Sequence, residues 1–342
     1  MKFNTKCVHG GGKPDSTGAI SPAIYMSSTF THPGLGETTG FQYTRESNPT
    51  RDRLETLIAG LEEGTDAIAF SSGMAAVDAV FHLFSPGDHV ILGDDLYGGS
   101  IRLFTNIYEK NGVEFTYVGT SDLDAVQAAF KPNTKAVYIE TPTNPMMEIT
   151  DVRALSKMAH DRNALVIVDN TFLSPYFQKP LHLGADIVVH SGTKFISGHH
   201  DVISGFTIVK DDELAAQLRL IYKTVGACLS AFDSWLVIRG IKTLALRMEQ
   251  HQKNAIALAE WLKQEPKVTK VLFPGLPEHP GYEVNKSQTT GFGGMLSFEV
   301  DSEETAKQVL EGIQLIQFAE SLGGTESLLT YPVTQTHPDL KP

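Results

Sequence analysis

Cysteines are few in this chain and long apolar runs are missing, which argues against a disulfide-bonded secreted protein and against a membrane-spanning protein. Only Cys7 and Cys228 occur among the 342 residues, so we expect no disulfide framework, and the composition is typical of a reduced cytoplasmic setting. No segment approaches the roughly 18 to 20 apolar residues that a membrane span requires, so we predict no membrane partner. The first residues, MKFNTKCVHGGGKPD, also lack the apolar stretch of a secretory signal.

Basic residues are in deficit as well. The chain has 28 Lys and Arg against 40 Asp and Glu, which gives a formal net charge of −12. Nucleic-acid binding needs clustered lysines and arginines, so we predict no nucleic-acid partner. Small anionic ligands remain compatible with this balance, because a local pocket can oppose the charge of the whole molecule.

Short β-branched runs alternate with helical stretches over much of the chain. The runs are 66–70, 88–92, 113–118, 135–140, 164–169, 186–190 and 206–209. This alternation predicts an α/β fold with a mostly parallel sheet covered on both faces, in which ligands bind beyond the carboxyl ends of strands.

The pattern divides the chain into three parts. The first 50 residues show little periodicity and are rich in small and polar residues, which predicts an arm, 1–50. A large α/β domain follows, 51–230. A long helical run over 232–265 and two later β-like segments then predict a smaller α+β domain, 231–342.

Two segments after strand-like runs carry polar groups that a ligand can use. SSGMAA, 71–76, follows a strand and begins a helix, so the backbone N–H groups of Gly73 and Met74 are candidates to hold a phosphate. An ordinary serine N-cap is the simpler interpretation of the same residues. Asp169 ends a buried strand in IVDN, where it can cap the next segment, bind a metal or pair with a protonated ring nitrogen.

The segment HSGTKFISGHHDV, 190–202, offers either a metal site or a reactive amine. Its candidate ligands are His190, His199, His200 and Asp201, but their spacing matches no recognised zinc pattern, and no HExxH motif occurs. We therefore predict no metal. Lys194 follows an apolar strand, where desolvation lowers the pKa of an amine and makes it a nucleophile towards aldehydes.

Taken together, these features match the needs of one cofactor, pyridoxal 5′-phosphate (PLP). Its phosphate needs N–H and hydroxyl donors, which a helix start and the hydroxyls of Ser191 and Thr193 provide. Its ring nitrogen needs a carboxylate such as Asp169, and its aldehyde needs an amine such as Lys194.

The same segments resemble the PLP enzymes of cysteine and methionine metabolism, among them the cystathionine lyases. The matching stretches are YTRESNPTRDRLETLIAGLEEG, FSSGMAAV, DDLYGGS, IETPTNP, VDNTF, HSGTKFISGHHDV, DSWLVIRGIKTLALRMEQHQKNA and AESLGGTESL. The resemblance implies the fold type I of PLP enzymes, like that of aspartate aminotransferase. It also implies a homotetramer built as a dimer of dimers, with active sites shared between subunits.

The resemblance assigns roles residue by residue. Lys194 matches the lysine that binds the cofactor covalently, and Asp169 matches the acid at the ring nitrogen. The matched phosphate donors are Gly73, Met74, Ser191 and Thr193, with Tyr43 and Arg45 reaching the phosphate of the neighbouring subunit. Tyr97 matches the tyrosine that stacks on the ring, and Asn144 matches the amide near the 3′-oxygen. Glu320 and Ser321 lie in the loop that holds the substrate.

The implied reaction is carbon–sulfur cleavage of cystathionine by γ-elimination, with Lys194 as the base and Tyr97 assisting proton transfer. Glu320 stands where γ-lyases, γ-synthases and some β-lyases carry glutamate, so β-elimination or the γ-replacement of a cystathionine γ-synthase stays open. Gly99 stands where methionine γ-lyases usually carry cysteine. The alternatives of another class are an inactive PLP-binding scaffold and a zinc module.

The resemblance also implies a further segment after Thr336 and His337. That segment carries the arginine that binds the substrate α-carboxylate, and it is expected beyond Pro342.

Overall fold

The computed structural model of the protein describes residues 1–335. Its α-helices are α1 Phe3–His9, α2 Pro49–Glu62, α3 Gly73–Phe81, α4 Gly98–Leu103, α5 Leu123–Ala129, α6 Val152–His160, α7 Ser174–Phe177, α8 Pro180–Leu183, α9 Asp212–Val225, α10 Ala231–Ile241, α11 Leu244–Leu262, α12 Tyr282–Gln288 and α13 Glu303–Gly312, and a π-helix over Phe104–Tyr108 continues α4. Its strands are β1 Asp66–Phe70, β2 His89–Gly93, β3 Glu114–Val118, β4 Thr134–Glu140, β5 Leu165–Asp169, β6 Ile187–Ser191, β7 Gly205–Val209, β8 Val268–Leu272, β9 Ser297–Val300, β10 Gln317–Phe318 and β11 Leu328–Leu329. No helix within these residues is long and apolar enough to cross a membrane.

Seven strands form one sheet in the order β1-β7-β6-β5-β4-β2-β3. The neighbours from β6 to β3 pair in parallel, whereas β7 is antiparallel to both β1 and β6. These strands are the seven β-branched runs of the sequence, so the predicted α/β fold with a mostly parallel sheet is confirmed. The ends of β1, β4, β5 and β6 and the start of β7 therefore meet at one edge of the sheet.

Alternate side chains of the sheet enter two separate cores. Val166, Val168 and Val188 pack in the core that α2 and α11 cover. Ile167 and Val189 pack in the core that α3 and α9 cover. Because side chains alternate along a strand, the residues at the strand ends also divide between the two faces.

Short polar residues begin the helices that matter most for the site. Asn48 Oδ1 accepts a hydrogen bond from Thr50 N at 2.9 Å at the start of α2. Ser72 Oγ accepts one from Ala75 N at 3.0 Å at the start of α3. Such a cap contributes about 1 kcal/mol and fixes where the helix begins.

The C-terminal part departs from the predicted single helical run over 232–265. The run divides into α10 and α11 at Thr243, which has a φ of −107° and a ψ of 4°. The buried guanidinium of Arg247 fills this junction, donating to Gly240 O at 2.9 Å and to Phe195 O at 2.6 Å. Beyond α11, β8 pairs antiparallel with β9. The division into two domains stays a prediction.

The N-terminus contains an element that was not expected. α1 places Cys7, which is 2% exposed, in the core beside α2 and α11. A helix of seven residues is too short to show a clear apolar period, which explains why the sequence did not reveal it. An arm without regular helices follows between α1 and α2, with one bridge between Thr29 and Tyr43.

A stabilising substitution is predicted at Gly60. This glycine lies inside α2, is exposed, and has open space where a Cβ would be. Gly60→Ala should raise the free energy of unfolding by about 0.5–1 kcal/mol, because alanine loses less backbone entropy in a helix. Denaturant unfolding monitored by circular dichroism measures the change. A decrease in stability would contradict the open environment of this position.

Candidate active site

Polar side chains converge where β4, β5 and β6 end. Glu140 and Asp169 are the last residues of β4 and β5 and lie directly opposite each other in register. Ser191 ends β6 and lies opposite Gly205, the first residue of β7. Asp169 shares its face of the sheet with Ile167, and therefore faces the core under α3 and α9.

The first turn of α3 lies directly against this edge. A Cβ built on Gly73 would be 2.9 Å from Cβ of Ser191, and a Cβ built on Gly205 would be 2.0 Å from the carbonyl oxygen of Ser72. Only glycine permits either approach. The N–H groups of Gly73 and Met74 have no partner inside the helix, so with the Ser191 hydroxyl they form a cradle suited to a phosphate.

Lys194 lies in the turn after β6, close to a loop from the C-terminal part. Its backbone N–H donates to Ser191 O at 3.2 Å, and its ammonium donates to Ser321 Oγ at 3.0 Å. Burial lowers the pKa of Lys194, and the carboxylate of Glu320 opposes that shift. The amine is therefore more often neutral than an exposed lysine, which suits a nucleophile or a base.

Two buried carboxyl groups stand beside each other at this edge. Asp169 Oδ1 accepts a hydrogen bond from Thr171 N at 2.9 Å, and Oδ2 accepts one from the Tyr138 hydroxyl at 3.5 Å. Burial raises the pKa of Asp169, against the effect of the Thr171 hydrogen bonds. Burial raises the pKa of Glu140 well above its usual range, and the charge of Asp169 adds to that shift. A cation bound at Asp169 would favour the ionised form of that carboxyl.

A backbone hydrogen bond holds Tyr97 at the edge of the sheet where β4, β5 and β6 end. Its N–H donates to Glu140 Oε1 at 3.0 Å. A Cβ built on Gly99 would lie 2.3 Å from Cε1 of the tyrosine ring, so the ring folds over this glycine. Glu140 was missed in the sequence, although an acid at the end of a strand is the same signal that singled out Asp169.

Two further residues assigned by resemblance lie near the same edge. Asn144 is half-buried in the loop after β4, just before Pro145. The hydroxyl of Thr193 donates to Ser204 O at 3.2 Å and accepts from Ser204 N at 3.1 Å, so it ties the lysine turn to the start of β7. The predicted phosphate contact of Thr193 requires this hydroxyl to rotate.

Tyr43 and Arg45 lie at the surface of the arm. The Arg45 guanidinium is 5.5 Å from the centre of the Tyr43 ring and donates to the carbonyl oxygen of Lys223 at the end of α9. Their exposure is compatible with a contribution to the site of a neighbouring subunit, which stays a prediction.

The histidines of the lysine segment do not converge on one point. His190 lies on the face opposite to Asp169, with Nε2 2.5 Å from Glu62 Oε1. His199 bonds through Nδ1 to Ser197 O at 2.7 Å. Within residues 1–335, no three or more His, Cys, Asp or Glu side chains come together as metal ligands do.

A buried clamp behind the sheet also escaped the sequence. Glu62 Oε1, at the end of α2, accepts a hydrogen bond from Asn170 Nδ2 at 2.9 Å and bonds His190 as described above. Glu62 thereby links Asn170, which follows Asp169, to His190, which precedes Ser191. Nothing local reveals this role, because a glutamate at a helix end usually lies at the surface.

The residues at this edge fit PLP. The cradle at Gly73 and Ser191 offers donors to a phosphate, the buried Asp169 suits a protonated ring nitrogen, and the desolvated amine of Lys194 suits an aldehyde. All three lie at one edge of the sheet, formed by the ends of β5 and β6, the turn after β6 and the start of α3.

Comparison with known proteins agrees with this arrangement. The profile of the Cys/Met metabolism PLP-dependent enzyme family matches residues 4–342. The chain belongs to this family. As a member of it, the protein uses PLP as its cofactor, and its fold is the fold type I of these enzymes.

Individual relatives of this family member differ in their named activities. The chain is 49% identical over 336 residues to a cystathionine β-lyase of Lactococcus lactis subsp. cremoris, covering 98% of this chain and 88% of that protein. It is 49% identical over 340 residues to a cystathionine γ-synthase of Haemophilus influenzae, covering 99% and 88%. The crystal structure of cystathionine γ-lyase from Lactobacillus plantarum complexed with L-serine has a TM-score of 0.98 and 46% identity, covering 100% of this chain and 90% of that chain. These relatives support an enzyme of carbon–sulfur bond chemistry without separating the three activities.

Proposed function

We propose that this family member is a C–S lyase that cleaves cystathionine by γ-elimination, with β-elimination as a secondary activity. The γ-elimination takes up one water and yields cysteine, 2-oxobutanoate and ammonia. The observation that carries the proposal is the 3.0 Å hydrogen bond that the half-buried amine of Lys194 donates to Ser321 Oγ, next to Glu320 in the same loop. The amine of Lys194 thus lies beside both the sheet edge proposed to bind PLP and the loop that carries Glu320 and Ser321.

The residues at the edge divide the chemistry between them. When bound, PLP supplies an electron sink that acidifies the Cα proton of the substrate. Lys194 accepts that proton, and γ-elimination also needs a proton removed from Cβ, which the same flexible side chain reaches. The Tyr97 hydroxyl delivers a proton to the leaving sulfur. Asp169 would stabilise the charge at the ring nitrogen, and Gly73 and Ser191 would hold the phosphate.

The substrate contacts follow from the loop after β10 and the loop after β4. Ser321 lies beside Lys194, and Asn144 lies in the loop that follows Glu140. Both polar side chains are proposed to bind the amino-acid end of cystathionine. Glu320 is exposed, so its carboxylate can meet the distal amino group of this long substrate. Thr336 and His337 lie outside the described residues.

We also propose the homotetramer, a dimer of dimers with shared active sites, as the working assembly. The arm supports it because the arm exposes large apolar side chains that a monomer would bury. Ile20 is 85% exposed, and Leu35 is fully exposed at 107%. Sedimentation of the purified protein tests this assembly.

Product identification from cystathionine tests the proposed activity. We expect 2-oxobutanoate and cysteine to exceed pyruvate and homocysteine, because the amine of Lys194, beside the loop that carries Glu320 and Ser321, can remove both the Cα and the Cβ proton that γ-elimination requires. Mass spectrometry of the reaction mixture measures both pairs. A majority of pyruvate and homocysteine would instead assign the protein as a β-lyase. The product ratio decides sharply, because a difference of only about 1–3 kcal/mol between the two activation free energies makes one pair predominate.

Further measurements separate the remaining alternatives. Cystathionine formed from an O-acylhomoserine and cysteine, faster than cystathionine is cleaved, would make the protein a γ-synthase. Bound cofactor without turnover of cystathionine or of the acylated homoserine would make it a scaffold. Metal analysis of the purified protein tests the zinc module.

A further inference from the structure

The turn 198–201, which follows Lys194, has no part in the chemistry described so far. Gly198 and His200 both have positive φ angles, of 70° and 55°. The left-handed region is uncommon for a residue other than glycine, so the backbone of His200 is held in this conformation by its surroundings. Its side chain is 21% exposed.

The substrate loop 319–326 lies on the backbone of the lysine turn. A Cβ built on Gly323 would be 2.6 Å from Phe195 N and 2.9 Å from the carbonyl carbon of Lys194, and Gly323 has a φ of 81°. A side chain at this position would therefore lift the loop from the lysine. The loop and Lys194 are in direct van der Waals contact.

The next residue of the loop lies against the ring of His200. A Cβ built on Gly324 would be 2.0 Å from Nε2, 2.2 Å from Cδ2 and 2.5 Å from Cε1 of His200. Glu326 Oε2 is 3.8 Å from the same Nε2. The flat ring thus lies beside the loop at Gly324, with an acidic side chain two residues further on.

Ser321 shows why the loop needs external support. Its φ of 97° is strained for a residue with a side chain, yet its hydroxyl must take this position to bond Lys194. Strain of this kind costs about 1–3 kcal/mol and persists only where the surroundings impose it. Gly323 and Gly324 make close contacts of this kind two and three residues further along the loop.

We propose that His200 is a positioning residue that braces the loop 319–326 against the Lys194 turn and so keeps Glu320 and Ser321 at the substrate site. Its catalytic consequence rests on the proposed function. The brace itself depends only on the contact between the imidazole and Gly324.

Removal of the ring from the PLP-loaded enzyme tests the brace. In His200→Ala, amide hydrogen exchange should become faster in the loop 319–326 and stay unchanged in the neighbouring β6. KM for cystathionine should rise about tenfold with a smaller effect on kcat, and the visible absorbance of the bound cofactor should be retained. His200→Phe, which keeps a flat ring without a charge, should resemble the wild type.

A compensating pair makes the contact itself testable. In Gly324→Ala the new methyl group collides with the imidazole, so exchange in the loop should again become faster. In the double variant with His200→Ala, that methyl enters the space left by the ring, and the two effects should be less than additive. Additive effects, or a His200→Ala variant with wild-type exchange and KM, would overturn the proposal.

His199→Ala is the matched control. His199 is adjacent in the turn, but it bonds Ser197 O, and the atoms nearest to a Cβ on Gly324 belong to His200. Its removal should leave exchange in the loop unchanged, and faster exchange there would count against a specific role of His200. If the wild type failed to cleave cystathionine, the exchange data would still decide whether the brace exists.

Discussion

Replacement of Lys194 by alanine should lower the rate of cystathionine cleavage by a factor on the order of 10² to 10⁴, the usual contribution of a positioned acid–base group. The same change removes the amine proposed to bond the aldehyde of PLP. The fold should survive, because desolvation lowers the pKa of the half-buried Lys194 and its ammonium therefore contributes little to stability. Product release from cystathionine under steady-state conditions measures the loss.

Two companion measurements make this result specific. A small external amine should restore part of the rate of Lys194→Ala, because it can enter the space left by the side chain. Lys179→Ala is the matched control, since burial lowers the pKa of Lys179 too, but this lysine bonds the carbonyl oxygen of Leu61 away from the site. A similar loss in both variants would show that Lys194 has no distinct chemical role.

The sheet and the central groups of the site were predictable because their signals are local. Each strand is a run of β-branched residues, and parallel strands place their carboxyl ends at one edge whatever the loops between them do. Asp169 and Lys194 stand out because a charged residue at or shortly after the end of a buried strand is unusual. The resemblance added residues such as Tyr97, for which no local signal exists.

The supporting contacts were not predictable, because each joins segments far apart in the chain. Glu62 meets His190 across 128 residues, and Arg247 meets Phe195 across 52. The residues that flank each of these side chains in the sequence give no sign of the distant residue against which it is buried. The break between α10 and α11 was missed for the same reason, since the Arg247 contact that fills it is tertiary.

Gly205 makes such a tertiary contact beside the proposed phosphate cradle. It begins β7 between β1 and β6, opposite Phe70 on one side and Ser191 on the other. A Cβ at this position would lie 2.0 Å from Ser72 O and 2.8 Å from Cα of Gly73. These are backbone atoms, which cannot turn aside as a flexible side chain can. The start of α3 must therefore move if residue 205 gains a side chain.

Gly205→Ala should weaken PLP binding by about 1–3 kcal/mol, the usual cost of overpacking, which is roughly a ten- to hundredfold rise in Kd. The physical reason is that the N–H groups of Gly73 and Met74 are pushed away from the Ser191 hydroxyl, so the phosphate loses donors that act together. Titration of the cofactor-free protein with PLP, followed by absorbance, measures Kd. Gly60→Ala, a glycine replacement in open space, should leave Kd unchanged. Because Lys194 is intact in this variant, saturating PLP should restore turnover, and an unchanged Kd would place the phosphate elsewhere than at the start of α3.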